Sequence, residues 1–132
     1  MKIEYTLPSR PSRDLKTEIV RPEQVMRRRP PRITCLLALA HRVEELVRSG
    51  EVKDYADLAR LGGVSRARIS QLLNLLTLAP SLQELILNLP PRAPGEKTIT
   101  ERHLRRVLCE PRWDRQRILF NKVCQIISAQ AR

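Results

Sequence analysis

The chain has 132 residues, enough for one small domain plus an extension with a core that needs neither disulfides nor metals. Lys and Arg number 25 against 14 Asp and Glu, a formal net charge of +11 that points to a polyanionic partner. Cys35, Cys109 and Cys124 are odd in number, far apart and without C-x-x-C spacing, which argues against a disulfide framework or a zinc site. They are expected to be reduced and to act as small hydrophobes in helical segments.

The distribution of charge says more than its total. Residues 1–34 carry +5, residues 35–99 carry +1 and residues 100–132 carry +5. If the partner is a nucleic acid, the two ends must supply most of the phosphate attraction, while the nearly neutral middle supplies register.

Pro8, Pro11, Pro22, Pro30 and Pro31 prevent a long helix in residues 1–32 and predict an extended arm, with a short alternating stretch at 3–7. Arg27, Arg28, Arg29 and Arg32 cluster around the last two prolines. Such a cluster suits a phosphate backbone or a narrow minor groove, and a merely solvated leader is the alternative. No apolar leader follows Met1-Lys2, and the longest apolar run, 33–40, is far below the roughly 20 residues that span a bilayer. The expected setting is the cytoplasm.

Residues 33–48 read as the first helix, with Leu36, Ala40, Val43 and Val47 on one stripe, Leu39 and Leu46 beside it, and Ser49-Gly50 as its stop. Glu44 and Glu45 fall on its polar side. His41 and Glu45 stand four apart, but no second histidine lies at ligand spacing, and a solvated helix face explains both.

Residues 54–76, DYADLARLGGVSRARISQLLNLL, read as a helix-turn-helix. Asp54 is placed to cap the first helix, in which Leu58, Ala59 and Leu61 are apolar, and Ala59 allows a close helix crossing. Gly63 supplies the positive φ of a tight turn, and Val64 is expected to plug the space beneath it. Ser65 caps a second helix whose Ile69, Leu72, Leu73 and Leu76 form a packing stripe. Its other face carries Arg66, Ala67, Ser70, Gln71 and Asn74. Arginine can bridge guanine O6 and N7, glutamine can bridge adenine N6 and N7, and small residues let the backbone approach a thymine methyl. Arg68, toward the edge, and Ser65 suit phosphate instead. An ordinary helical hairpin with a solvated outer face is the alternative.

Further on, Pro80 is expected to end an element and Ser81-Leu82-Gln83-Glu84 to form a capping box for a helix packing through Leu82, Leu85, Ile86 and Leu89. Pro90, Pro91, Pro94 and Gly95 mark an irregular loop, the expected site of mobility. Thr100 can cap a helix whose Leu104, Val107 and Leu108 face inward. Its Arg102, Arg105 and Arg106 face outward, as a phosphate patch or as a plain solvated face. After Pro111 a last helix covers about 113–130, with Leu119, Val123, Ile126 and Ile127 on a stripe widened by Ile118 and Phe120. That width suits packing on the domain or on a second subunit, with Trp113 as a packing anchor.

Residues 32–113 resemble the DNA-binding domain of the ParB and KorB family. The resemblance is carried by SGEVKDYADLARLGGVSRARISQLLNLLTLAPSLQELIL and by ITERHLRRVL, similar to that family's helix-turn-helix, its Leu-rich helix after "LAP" and its capped following helix. It implies sequence-specific binding of duplex DNA with 65–74 as the recognition helix. Nothing in the sequence matches the arginine-rich box of the nucleotide-binding domain found in larger members, so nucleotide-dependent spreading is not implied.

The expectation is therefore an all-α protein of about six helices, with an extended Pro/Arg-rich arm at 1–32 and a helical DNA-binding domain at 33–132. Its expected role is as a transcriptional regulator or an accessory factor of plasmid or mobile-element maintenance in a bacterial cytoplasm. Duplex DNA and a second copy in a homodimer are the expected partners, with a recombinase or the transcription machinery as further ones. No Ser-His-Asp grouping, phosphate-cradling glycine loop or metal cluster is visible, so neither catalysis nor a cofactor is expected. RNA binding is disfavoured because Tyr5, Tyr55, Trp113 and Phe120 are scattered, whereas single-strand readers group their rings. A protein adaptor that uses the last helix is the remaining alternative.

Overall fold

The computed structural model describes residues 28–130, and within them the chain is all-α. Six helices follow in order: α1 (Arg32–Arg48), α2 (Tyr55–Gly62), α3 (Arg66–Asn74), α4 (Pro80–Leu87), α5 (Glu101–Leu108) and α6 (Trp113–Gln130), and a single 3₁₀ turn (Leu75–Thr77) continues α3. Among the described residues no helix is long and apolar enough to cross a membrane. Most of the expected arm, including the stretch at 3–7 and Arg27, lies outside the described residues. Its end is tied down: Arg29 and Arg92 exchange backbone bonds of 3.0 and 2.8 Å in an isolated bridge. The expected arm ran to residue 32, but Arg32 is already the first residue of α1, because Pro31 ends the extended backbone and serves as that helix's N-cap.

α1 is the central element and packs against both α3 and α4. Its buried residues are Ile33, Leu37, Ala40 and Val43. The expected stripe is thus rotated: Leu36 and Val47 are only partly covered and Leu39 is half-exposed. The rotation follows from where the partners dock. Thr34 Oγ1 donates to Ile86 O at 2.7 Å, and His41 Nε2 lies 2.8 Å from Gln83 Oε1, so α4 covers the side beginning at Ile33. Ala59, Ile69, Leu72, Leu75, Leu78, Ala79, Leu82, Ile86, Ile99, Leu104, Val107, Phe120 and Ile127 complete the core, each of the larger side chains contributing about 1.5 to 3 kcal/mol through burial.

The bend after α3 is where the structure departs most from expectation. Pro80 begins α4 rather than ending an element, since its fixed φ suits a first helical turn in which the missing N–H goes unused. Ser81 therefore sits inside the helix, and the capping box with Glu84 does not form. Instead the Ser81 hydroxyl accepts from Arg117 Nε of α6 at 3.0 Å.

Two glutamines from elsewhere satisfy the bend. Gln83 Nε2 donates to Leu76 O at 3.0 Å and to Leu78 O at 2.9 Å. Gln116, buried in α6, accepts from the Ala79 N–H at 2.8 Å and donates to Glu110 O at 2.8 Å and Thr77 O at 3.4 Å. No described buried side-chain polar atom lacks a partner.

α5 opens on Thr100 as expected, and its partner is His103: the Thr100 N–H donates to His103 Nδ1 at 3.1 Å, and the Thr100 hydroxyl lies 2.9 Å from the same nitrogen. α6 buries Gln116, Phe120 and Ile127 and half-buries Leu119 and Val123, but Ile118 and Ile126 remain exposed. Trp113 is not a packing anchor. It is the first residue of α6 and is 51% exposed. Cys35 and Cys109 are exposed too, and only Cys124 is partly buried, so apolar neighbours in sequence did not place the first two inside.

Candidate nucleic-acid interface

The helix-turn-helix unit is built from local signals that operate as expected. Asp54 caps α2 by accepting from the Asp57 N–H at 2.7 Å. Gly63 follows α2 at φ +65°, the left-handed region that glycine reaches without a Cβ clash. The chain reverses at once, the Val64 N–H bonding back to Ala59 O at 3.0 Å. Ala59 is buried at the crossing, and α2 packs on α3. Ser65 then caps α3 by accepting from the Arg68 N–H at 3.1 Å. Val64 does not plug the turn. It is exposed and borders a shallow surface depression with Lys53, Asp57, Arg60 and Arg66, because the small Ala59 already brings the two backbones together.

α3 separates its faces cleanly. Ile69 and Leu72 are buried, while Arg66, Ala67, Ser70, Gln71 and Asn74 are all exposed on the opposite side. These five form one surface of short and donor-bearing side chains on a convex helix, the shape that enters a major groove.

Arg68 stands apart from them. Its Nη1 donates to Glu101 Oε1 of α5 at 2.9 Å and to Gln71 Oε1 at 3.4 Å. The residue expected to reach phosphate is thus engaged by a carboxylate, and the Ser65 hydroxyl is engaged as a cap.

Beyond α3 lies a groove of about 970 Å³. Gln71, Asn74 and Thr77 form one wall, and Glu101, Arg105 and Trp113 stand on the other. The α5 arginines spread over two adjoining hollows that share Arg102. Arg105 reaches this groove and also borders a depression of about 290 Å³ shared with Arg32 and Arg102. Arg106 borders a second hollow together with Arg102, His103, Val123 and Ile126 of α5 and α6, so Arg102 lies between the two. Arg28 and Arg29 are exposed, and Arg29 is held by its bridge to Arg92. Arg32, remote from α5 in sequence, is thereby brought to Arg102 and Arg105, a convergence no local pattern revealed.

The paired His41 and Glu45 do not meet as a site, since His41 turns to Gln83. No group of three or more His, Cys, Asp or Glu able to hold a metal occurs among the described residues.

Sequence reasoning missed Glu101 as a partner of α3, and Gln83 and Gln116 as its supports. For Gln116 a signal existed: it falls on the same helical stripe as Phe120, Val123 and Ile127, where a polar residue must be satisfied inside. Comparison with family models, curated proteins and solved structures gives no match, so the functional reading rests on the geometry of this site.

Proposed function

We propose that the protein binds duplex DNA sequence-specifically, with α3 as the recognition helix in the manner of the ParB and KorB reading domains it resembles. It would act by occupancy, as a transcriptional regulator or an accessory factor of plasmid or mobile-element maintenance. The observation that carries the reading is the sidedness of α3: Arg66, Ala67, Ser70, Gln71 and Asn74 are exposed together while Ile69 and Leu72 are buried behind them. Arg66 and Gln71 are the base-reading residues, and Ala67, Ser70 and Asn74 set the approach. Arg32, Arg102 and Arg105 supply a backbone contact beside them, with Arg28, Arg29 and Arg106 at its margins.

Selection from a random duplex pool by the full chain at near-physiological salt tests this. An enriched palindrome with half-sites about one helical turn apart supports reading by a homodimer. One asymmetric site supports reading by a monomer, and no enrichment refutes the proposal. The basic residues are tested separately. Replacing Arg32, Arg102 and Arg105 together should flatten the log–log salt dependence of binding by about 2 to 3, at roughly 0.9 per lost phosphate contact.

A second reading, a protein adaptor using α6, draws on the exposed Ile118 and Ile126. Under it, Ile118→Asp with Ile126→Asp abolishes activity while Gln71→Ala leaves it intact. Leu119 and Val123 do not serve that test, because they pack against the core.

A further inference from the structure

Glu101 is an acid on the wall of the groove that also holds Gln71 and Asn74. A carboxylate beside a surface proposed to meet phosphate weakens binding on every sequence, so a compensating role must be sought in what it touches.

It touches Arg68. Glu101 Oε1 accepts from Arg68 Nη1 at 2.9 Å, and the same nitrogen donates to Gln71 Oε1 at 3.4 Å. The pair is sheltered, with side chains 34% and 28% exposed, whereas the surface pair Arg42–Glu45 is 56% and 67% exposed. Screening by water is correspondingly smaller, and the geometry is better held. Arg68 and Gln71 lie one turn apart on α3, while Glu101 comes from the first turn of α5. Docking of α5 therefore decides where the Arg68 guanidinium points.

The chemistry of the three groups fixes a direction. Arginine has donors and no acceptor, so a glutamine amide facing it turns its oxygen toward the guanidinium and its NH₂ outward. A solvated glutamine presents either end. A held one presents donors, with less rotamer freedom to lose on binding.

Resting on the DNA-reading assignment above, we propose that Glu101 is a positioning residue for base selection. Through Arg68 it holds the Gln71 amide nitrogen outward, so that α3 selects a base edge bearing acceptors, guanine N7 and O6 or thymine O4, instead of the adenine N6 and N7 pair that a freely turning glutamine bridges, and rejects the cytosine N4 amino group.

The test uses the full chain and the duplex enriched by the wild-type protein, varied at the base pair that Gln71→Ala relaxes. Dissociation constants for cognate and varied duplexes are measured for wild type, Glu101→Ala, Glu101→Gln, Arg68→Met, Gln71→Ala and the double variant Glu101→Ala/Gln71→Ala. Far-UV circular dichroism checks that each is folded. Glu101→Ala and Arg68→Met lower discrimination at that pair by about five- to tenfold, the scale of one hydrogen bond. Glu101→Gln keeps most of the discrimination, because its amide oxygen still accepts from Arg68. Both Glu101 variants tighten binding to unrelated duplex, since a negative charge is gone. In the Gln71→Ala background, Glu101→Ala changes discrimination no further.

Equal tightening on cognate and varied duplexes by Glu101→Ala overturns the proposal and leaves Glu101 a bystander charge. So does a Glu101→Gln variant that loses as much discrimination as Glu101→Ala, or an undiminished effect in the double variant. If Gln71→Ala relaxes no base pair, the reading assignment itself fails and takes this inference with it. That outcome is distinct from failure at Glu101 alone.

Discussion

Gln116→Leu tests the account of the bend that ends α3. Leucine nearly conserves volume at a position that is 1% exposed, so the substitution removes hydrogen bonds while leaving little cavity. The bonded backbone groups then lose their partner, the buried Ala79 N–H most severely. The Ala79 N–H belongs to a fully buried residue at the α4 N-cap, outside the reach of intrahelical bonds, and Glu110 O loses a 2.8 Å bond. The longer bond to Thr77 O goes as well. An unsatisfied buried group costs about 1 to 3 kcal/mol, and extra apolar burial offsets part of that, so the net destabilisation is about 2 to 4 kcal/mol. For a domain of roughly this size it corresponds to about 10 to 25 °C in Tm. Urea unfolding followed by circular dichroism measures the difference, with Arg117→Ala as the neighbouring comparison. Among the described residues Arg117 offers only its exposed bond to Ser81, and its loss should cost no more than about 1 kcal/mol. If Gln116→Leu lies within about 0.5 kcal/mol of wild type, the bend is not held by that side chain and the reasoning fails.

Asp54→Ala and Ser65→Ala should each lower stability by about 1 kcal/mol in urea melts, since each side-chain oxygen caps one helix of the turn. Gly63→Ala should cost about 1 to 2 kcal/mol through backbone conformation alone, because a Cβ there meets nothing within 4 Å; a much larger loss in the same melts would point to a hidden clash. In thiol titration of the folded protein, Cys35 and Cys109 should react quickly and Cys124 slowly, because burial raises the Cys124 pKa and leaves less thiolate at a given pH. Urea should bring all three to one rate, and three equal rates in the folded protein would contradict the packing of α6. Arg66→Ala or Gln71→Ala should cost about 1 to 3 kcal/mol in DNA binding and relax preference at one base pair, whereas uniform weakening across sequences would refute their base-reading roles.

Much of the candidate site was legible because its determinants are local. The caps at Asp54 and Ser65 act over three residues, Gly63 acts on its own φ, and the apolar repeat at Ile69 and Leu72 has the period of one helix. The same locality explains where the reading failed. Ser81 and Glu84 have the spacing of a capping box, but Pro80 had already claimed the helix start. Leu36 and Val47 share a stripe with Ala40 and Val43, yet the docking of α3 and α4 chose Ile33 and Leu37.

What the sequence determined by itself is thus a set of six helical segments, the caps at Asp54, Ser65 and Thr100 and the sidedness of α3, because these depend on contacts within a few residues of the chain. Only the tertiary structure decided which polar side chains would be used inward. Gln116 reaches Ala79 across 37 positions, Arg68 reaches Glu101 across 33, and His41 reaches Gln83 across 42. The stripe of Phe120, Val123 and Ile127 signals that Gln116 turns inward, but no periodic pattern names the partner of a polar residue. Its fate is set by which backbone group or charge the docked helices bring within hydrogen-bonding distance, and that distance exists only once the chain has folded.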